Sequence, residues 1–251
     1  MRRLRLTLGY RGTRYAGWAV QNAARTRGRP TVQGTVERAL EHSLGHPTRV
    51  VAAGRTDAGV HADAQVVSFD TPSSITPVGL SRVLPRWLPE DVWVVEADEA
   101  GSDFDARQSA ARRWYRYAIW RDTAAPSSAW QGRCLVDPQA LDLDAMRQAS
   151  QTLLGRHDFA ALATRPRAEG YTGRTVFAAD WLQLSAALLI FEICADAYLK
   201  QMVRTIVGSL LWVGVARWTP EQFAAAMTSR DRRVAGPNAP AAGLSLHRVD
   251  Y

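Results

Sequence analysis

Two Val-rich runs, Arg49–Ala53 and Ala64–Phe69, frame Gly54-Arg55-Thr56-Asp57-Ala58-Gly59-Val60-His61-Ala62. The runs are short and bounded by turn residues, which predicts two β-strands. This pattern constrains the fold more than any other: the chain must build a sheet that carries a long loop. Nine residues exceed what a hairpin turn needs, and such a loop on a rigid sheet is a common seat of chemistry. Gly54 and Gly59 permit positive φ and close approach of another backbone. Arg55, two residues from Asp57, favours its charged form. On residues alone two readings stand: a functional carboxylate, or a solvated loop in which Asp57 caps a turn.

The remaining pattern predicts an α+β chain. Arg3–Tyr10 alternates basic and apolar residues with the period of a half-buried strand. Thr31 is placed to cap a helix whose inward face is Val32, Val36, Ala39, Leu40 and Leu44, ended by Gly45-His46-Pro47. Thr76-Pro77 starts another helix, stopped by Pro85 and Pro89 before a strand over Val92–Ala97. Arg112–Ile119 reads as a strand, with Arg113, Tyr115 and Tyr117 on one face. The polar segment Arg121–Pro138 is the expected connection between lobes. Asp142 caps a helix burying Leu143, Met146, Ala149 and Leu153-Leu154. His157 is expected to cap or to pack in the core. Arg174–Leu184 and Leu188–Ala195 read as strands, Thr219-Pro220 starts a last helix, and Leu244–Tyr251 ends the chain as a strand.

Charge points to the partner. The 251-residue chain carries +7 and a pI near 10.0, which favours a polyanion, nucleic acid ahead of a membrane surface. Lys200 is the single lysine, so 31 − 1 leaves 30 arginines. Arginine forks onto phosphate and stacks on bases, although arginine-rich codon usage has the same effect on composition. The segment 22–30 holds Arg25, Arg27 and Arg29 and reads as a basic loop, in contact with RNA or merely solvated. Cys134 and Cys194 form no CxxC, and five histidines show no ligand spacing, so no metal and no cofactor are expected. No apolar run reaches the roughly 20 residues of a membrane span. The N-terminus opens on a strand-like segment rather than an apolar leader, so the expected compartment is the cytoplasm.

Three further stretches bear on function. Tyr10-Arg11-Gly12-Thr13-Arg14-Tyr15-Ala16-Gly17-Trp18 mixes aromatics, glycines and arginines; it is a base-stacking surface or the cover of a core edge. Tyr115 either offers its ring and phenol to a base or turns into the core. Lys200–Gly214 is an apolar helix interrupted by Arg204. A buried guanidinium needs an acid, and Gly208, one turn on, admits another backbone.

Read together, these strings resemble the TruA family of tRNA pseudouridine synthases, from Tyr10 to Tyr251. Gly54–Ala62 resembles the family signature, whose aspartate is the essential catalytic residue and falls on Asp57. Tyr10, Gly12, Tyr15, Gly17, Trp18 and Gln21 match the string after the first strand, while Arg11 and Ala19 depart from its usual acid and glutamine. Leu88-Pro89-Glu90-Asp91 and Gly155–Phe159 match, with Pro85 in place of an upstream asparagine. Phe104–Arg107 and the arginine-rich Tyr115-x-Tyr117 match, which makes Tyr115 the residue on the target uracil. Met202–Leu210 matches in full, which sets Arg204 beside the catalytic aspartate.

The resemblance implies two pseudo-symmetric α/β lobes that share a mainly antiparallel sheet, with helices packed on it and a basic central cleft. Residues 1–105 would form the N-terminal lobe with the catalytic loop 54–62, and 106–251 the C-terminal lobe with Tyr115 and the Arg204 helix. It implies a homodimer acting on tRNA, at positions 38, 39 and 40 of the anticodon arm. The reaction breaks N1–C1′, turns the uracil and joins C5 to C1′. It is redox-neutral and needs a nucleophile or anion near C1′ or C6. Asp57 would serve, held ionised by Arg204. Arg55 would fill the space left by a flipped base or hold phosphate. A non-catalytic RNA-binding module would not require Asp57, Arg204 and Tyr115 together. A small-molecule glycosidase normally needs two carboxylates.

Overall fold

The computed structural model describes residues 1–164 and 171–251. In chain order its regular elements begin with β1 (Arg2–Tyr10), α1 (Ala23–Thr26), α2 (Val32–Leu44), β2 (Val51–Ala52), β3 (His61–Thr71), α3 (Pro77–Val83) and β4 (Val92–Ala100). They continue with β5 (Arg112–Trp120), β6 (Leu135–Val136), α4 (Leu143–Gln151), β7 (Gly155–Asp158), β8 (Gly173–Gln183), β9 (Leu188–Ala195), α5 (Met202–Gly214), α6 (Pro220–Thr228) and β10 (Leu244–Asp250). The fold class is α+β. The chain divides into two compact units, Met1–Ala111 with Ser245–Tyr251, and Arg112–Leu244.

In the first unit β1 runs antiparallel to both β3 and β4, β2 pairs with β3, and β10 lies parallel to the start of β3 through Ser245↔His61 and Leu246↔Ala62. The alternation of β1 is realised residue by residue. Leu4, Leu6 and Leu8 are buried, while Arg3 and Arg5 meet Asp70 and Asp98 at 2.6 and 2.7 Å. Those acids are their cross-strand partners, the arrangement in which opposite charges support a sheet. Arg2 is likewise bound to Glu99. Three arginines of the basic total are therefore committed to the sheet.

Helix ends follow the sequence. Thr31 and Thr76 accept hydrogen bonds from Gly34 N and Gly79 N, each satisfying an otherwise orphaned donor. Gly45 closes α2 in the left-handed conformation, φ 77°. Val32, Val36, Ala39 and Leu40 are buried as expected. Leu44 is half-exposed because it is the last helical residue.

In the second unit the antiparallel order is β5-β9-β8-β7. Arg116 and Glu192 face each other across β5 and β9 and bond at 2.6 Å. Asp142 caps α4 through Ala145 N, and Thr219 with Gln222 forms a capping box on α6. His157 Nε2 bonds the Leu154 carbonyl oxygen at 2.7 Å, a loop-closing role. The segment 121–138 is not a connection between units: it lies inside the second one, where β6 pairs parallel to β5. Its Pro/Ser composition favours an open loop, but Leu135 and Val136 pair with Ile119 and Trp120 at the end of β5. Among the described residues no helix is long and apolar enough to cross a membrane.

Candidate active site

Asp57 sits in the loop from β2 to β3, and three layers of contact brace that loop. Ala53 N bonds Val66 O at 2.9 Å and closes its base. Strand β3 starts at His61, so the free loop ends at Val60 and the last two residues of the Gly54–Ala62 string belong to the sheet. Within the loop Val60 N bonds Asp57 O at 3.1 Å, a turn that Gly59 completes at φ 83°. Thr56 and Val60 are buried, Arg55 is exposed, and Asp57 between them is half-exposed.

The second layer is the aromatic segment 10–18. Tyr10, Tyr15 and Trp18 are at most 2% exposed, so they cover a core edge and form no stacking platform. Trp18 N bonds Thr56 O at 3.0 Å. The Tyr10 and Thr56 hydroxyls lie 2.8 Å apart. Gln65, fully buried, donates to Gly54 O at 2.8 Å. Burial pushes the Tyr10 phenol well above its ordinary value, against the opposing bonds to Thr56 and Gln65, and it remains a neutral hydrogen-bonding group. Gly12 packs so closely on the loop that a Cβ there would overlap the Val60 carbonyl. Its N–H bonds His61 Nδ1 at 3.2 Å, which puts the ring proton of a neutral imidazole on Nε2.

The third layer is Asp91. Its carboxylate accepts from Tyr15 Oη and Arg14 Nε, both at 2.8 Å, and its carbonyl from Arg11 N at 2.9 Å. Partial burial pushes this carboxyl up, but the bonds from Arg14 and Tyr15 outweigh it and the net direction is down. The clamp role of Asp91 is not visible in its sequence neighbourhood; only its place in Leu88–Asp91 marks it.

In the second unit Tyr115 is 8% exposed. Its ring meets Tyr198 edge-on, centroids 5.1 Å apart. Tyr198, which the sequence did not single out, donates to the carbonyls of Ile193 and Arg113. Arg204 projects from α5, half-exposed, and its Nε donates to Ala239 O at 2.7 Å. Gly208 admits the Pro237 carbonyl against the helix, as the sequence anticipates for this position. The run 236–239 is fastened there by Gly236 N to Ser209 Oγ, Thr205 Oγ1 to Asn238 Oδ1, and Ala239 N to Arg204 O.

An arginine-rich α+β chain of net charge +7 has the character of a protein that meets nucleic acid. Comparison with known proteins gives the family. A sequence model described as tRNA pseudouridine synthase matches residues 8–107 and 149–251. The tRNA pseudouridine synthase A of Moorella thermoacetica is 41% identical over 252 residues, with 99% of each chain covered. That of Chloroflexus aurantiacus is 43% identical over 254 residues, covering 100% of this chain and 89% of the relative. That of a Bradyrhizobium species is 40% identical over the full length of both. The chain belongs to the tRNA pseudouridine synthase family, a group of isomerases that modify RNA.

Proposed function

We propose that the chain isomerises uridines 38, 39 and 40 in the anticodon arm of tRNA, with Asp57 as the nucleophile. The bracing of the Asp57 loop is the observation that carries this reading. A half-exposed carboxylate between buried Thr56 and Val60, in a loop pinned at Thr56 by Trp18 N on its carbonyl and by the Tyr10 phenol on its hydroxyl, is a group whose geometry is fixed before substrate arrives. Preorganisation of this kind is what a nucleophile near C1′ or C6 needs. The redox-neutral rearrangement calls for no cofactor.

Around it Arg204 keeps Asp57 ionised and aimed. Arg55, exposed on the same loop, fills the place of the flipped base or holds phosphate. Tyr115 meets the uracil with its ring, and its phenol assists removal of the C5 proton. The unit Met1–Ala111 with Ser245–Tyr251 supplies Asp57, and Arg112–Leu244 supplies Tyr115 and Arg204. The enzyme works as a homodimer in the cytoplasm.

The test is to incubate unmodified tRNA transcripts with the protein and map pseudouridine at single-nucleotide resolution. Modification confined to positions 38–40 is expected; modification elsewhere with 38–40 untouched overturns the site assignment. A stability cycle of Arg204→Met with Asp57→Asn checks the ion pair. Partial recovery in the double variant is expected, and purely additive losses exclude it.

A further inference from the structure

The first unit carries a basic groove that none of residues 53–62 lines. Its volume, about 680 Å³, falls in the range of roughly 300–1,000 Å³ that accommodates a small organic ligand. Trp87 stands at its wall, 50% exposed. His42, from the last turn of α2, stacks on that indole with centroids 4.5 Å apart and planes 17° from parallel. One ring face is thus supported, and the indole is held as an ordered plate.

The charges beside this plate are uncommitted. Arg38, one turn before His42 on α2 and so on the same face, is exposed and reaches the neutral Thr35 hydroxyl at 3.4 Å. Arg86, next to Trp87, is exposed and forms no ion pair among the described residues. Arg14 differs, since Asp91 holds it at 2.8 Å. The basic segment 22–30, which contains α1, leads into the same place: Pro30 lines the groove, and Arg25, Arg27 and Arg29 are exposed just before it. The β1 arginines, by contrast, are neutralised by acids across the sheet.

We propose that this groove is a second RNA-binding subsite that takes one unpaired nucleotide of the tRNA away from the reacting uridine, its base stacked on Trp87 and its phosphate on Arg38 and Arg86. Aromatic stacking beside guanidinium groups is the general means of holding single-stranded nucleotides without reading their sequence. A protein partner would bring no base for the plate. The inference rests on tRNA as substrate but not on which residue performs the chemistry.

Two variants test it, Trp87→Ala and the pair Arg38→Ala with Arg86→Ala. All three side chains are exposed, and Trp87→Phe serves as the conservative rescue. Each is titrated with full-length unmodified tRNA and with a synthetic anticodon stem-loop. For full-length tRNA Kd should rise on the order of tenfold in each variant, and Trp87→Phe should restore most of it. In the arginine pair the slope of log K against log salt should fall by about 0.7–0.9, the share of one phosphate. Stem-loop affinity and the single-turnover rate at saturating RNA should match wild type. Unchanged affinity for full-length tRNA overturns the subsite. Equal losses on both RNAs, or a lost saturating rate, also overturn it, by merging the groove with the reaction site. A failure of Asp57→Asn to abolish chemistry would leave these binding results standing.

Discussion

The hydroxyls of Tyr10 and Thr56 share a buried 2.8 Å hydrogen bond, which ties the end of β1 to the residue before Asp57. Removing it with Tyr10→Phe strands the Thr56 hydroxyl and loosens Gln65, whose Nε2 lies 3.5 Å from the same phenol. An unsatisfied buried group of this kind costs about 1–3 kcal/mol. Tm should fall by several degrees, and kcat should fall more than KM rises, because the loop is positioned less well while RNA contacts persist. Unfolding curves with steady-state kinetics check both. A lower Tm with unchanged kcat would make the bond structural only.

Three glycines, Gly12 and Gly17 in the aromatic segment and Gly28 in the basic segment 22–30, should separate strain from collision. Gly28 has φ 75° and open space around its Cβ position, so Gly28→Ala should cost only about 1 kcal/mol of backbone strain and leave activity intact. Gly12→Ala puts a methyl group into the Val60 carbonyl. The loop must move, at about 1–3 kcal/mol or more, and activity should collapse with it. Gly17→Ala combines both penalties, with φ 102° and the Thr56 oxygen 2.9 Å from the new carbon. Melting temperatures and initial rates of the three variants give the ranking.

Asp91 predicts a pH dependence. Its folded-state pKa lies below the ordinary 3.8, since the bonds from Arg14 and Tyr15 outweigh the opposing burial. A depressed carboxyl pKa stabilises the fold at pH values above the unfolded pKa, and that contribution disappears as pH falls through the lower folded value. The stability gap between wild type and Asp91→Asn should be constant near neutrality and close below about pH 4. Urea titrations across that range measure it; a gap that stays constant into strong acid would contradict the assignment.

What was legible in the sequence was local. Leu4, Leu6 and Leu8 face inward because a strand has period two. Thr31, Thr76, Asp142 and Thr219 cap their helices because a side-chain oxygen can reach a free N–H three residues on. Gly208 was readable as a place for close approach, but the backbone that uses it, at Pro237, is far along the chain. The segment 10–18 carries no periodicity, so burial of Tyr10, Tyr15 and Trp18 depends on the loop they pack against. The same limit hid Asp91, whose partners come from another element, and Leu135–Val136, which become a strand only beside β5. The chemistry proposed for Asp57 rests on its family string, and the bracing of its loop became visible only with the fold.

The most direct test of Asp57 as nucleophile is a single-turnover reaction of Asp57→Asn on saturating unmodified tRNA, with the substitution verified by mass spectrometry. Carboxamide and carboxylate are nearly isosteric, so the loop contacts through Thr56, Gly59 and Val60 should persist. The expected result is a folded protein that binds tRNA with near wild-type affinity and forms no pseudouridine over many wild-type half-times. Product at a rate approaching wild type would contradict it and move the chemistry to another group.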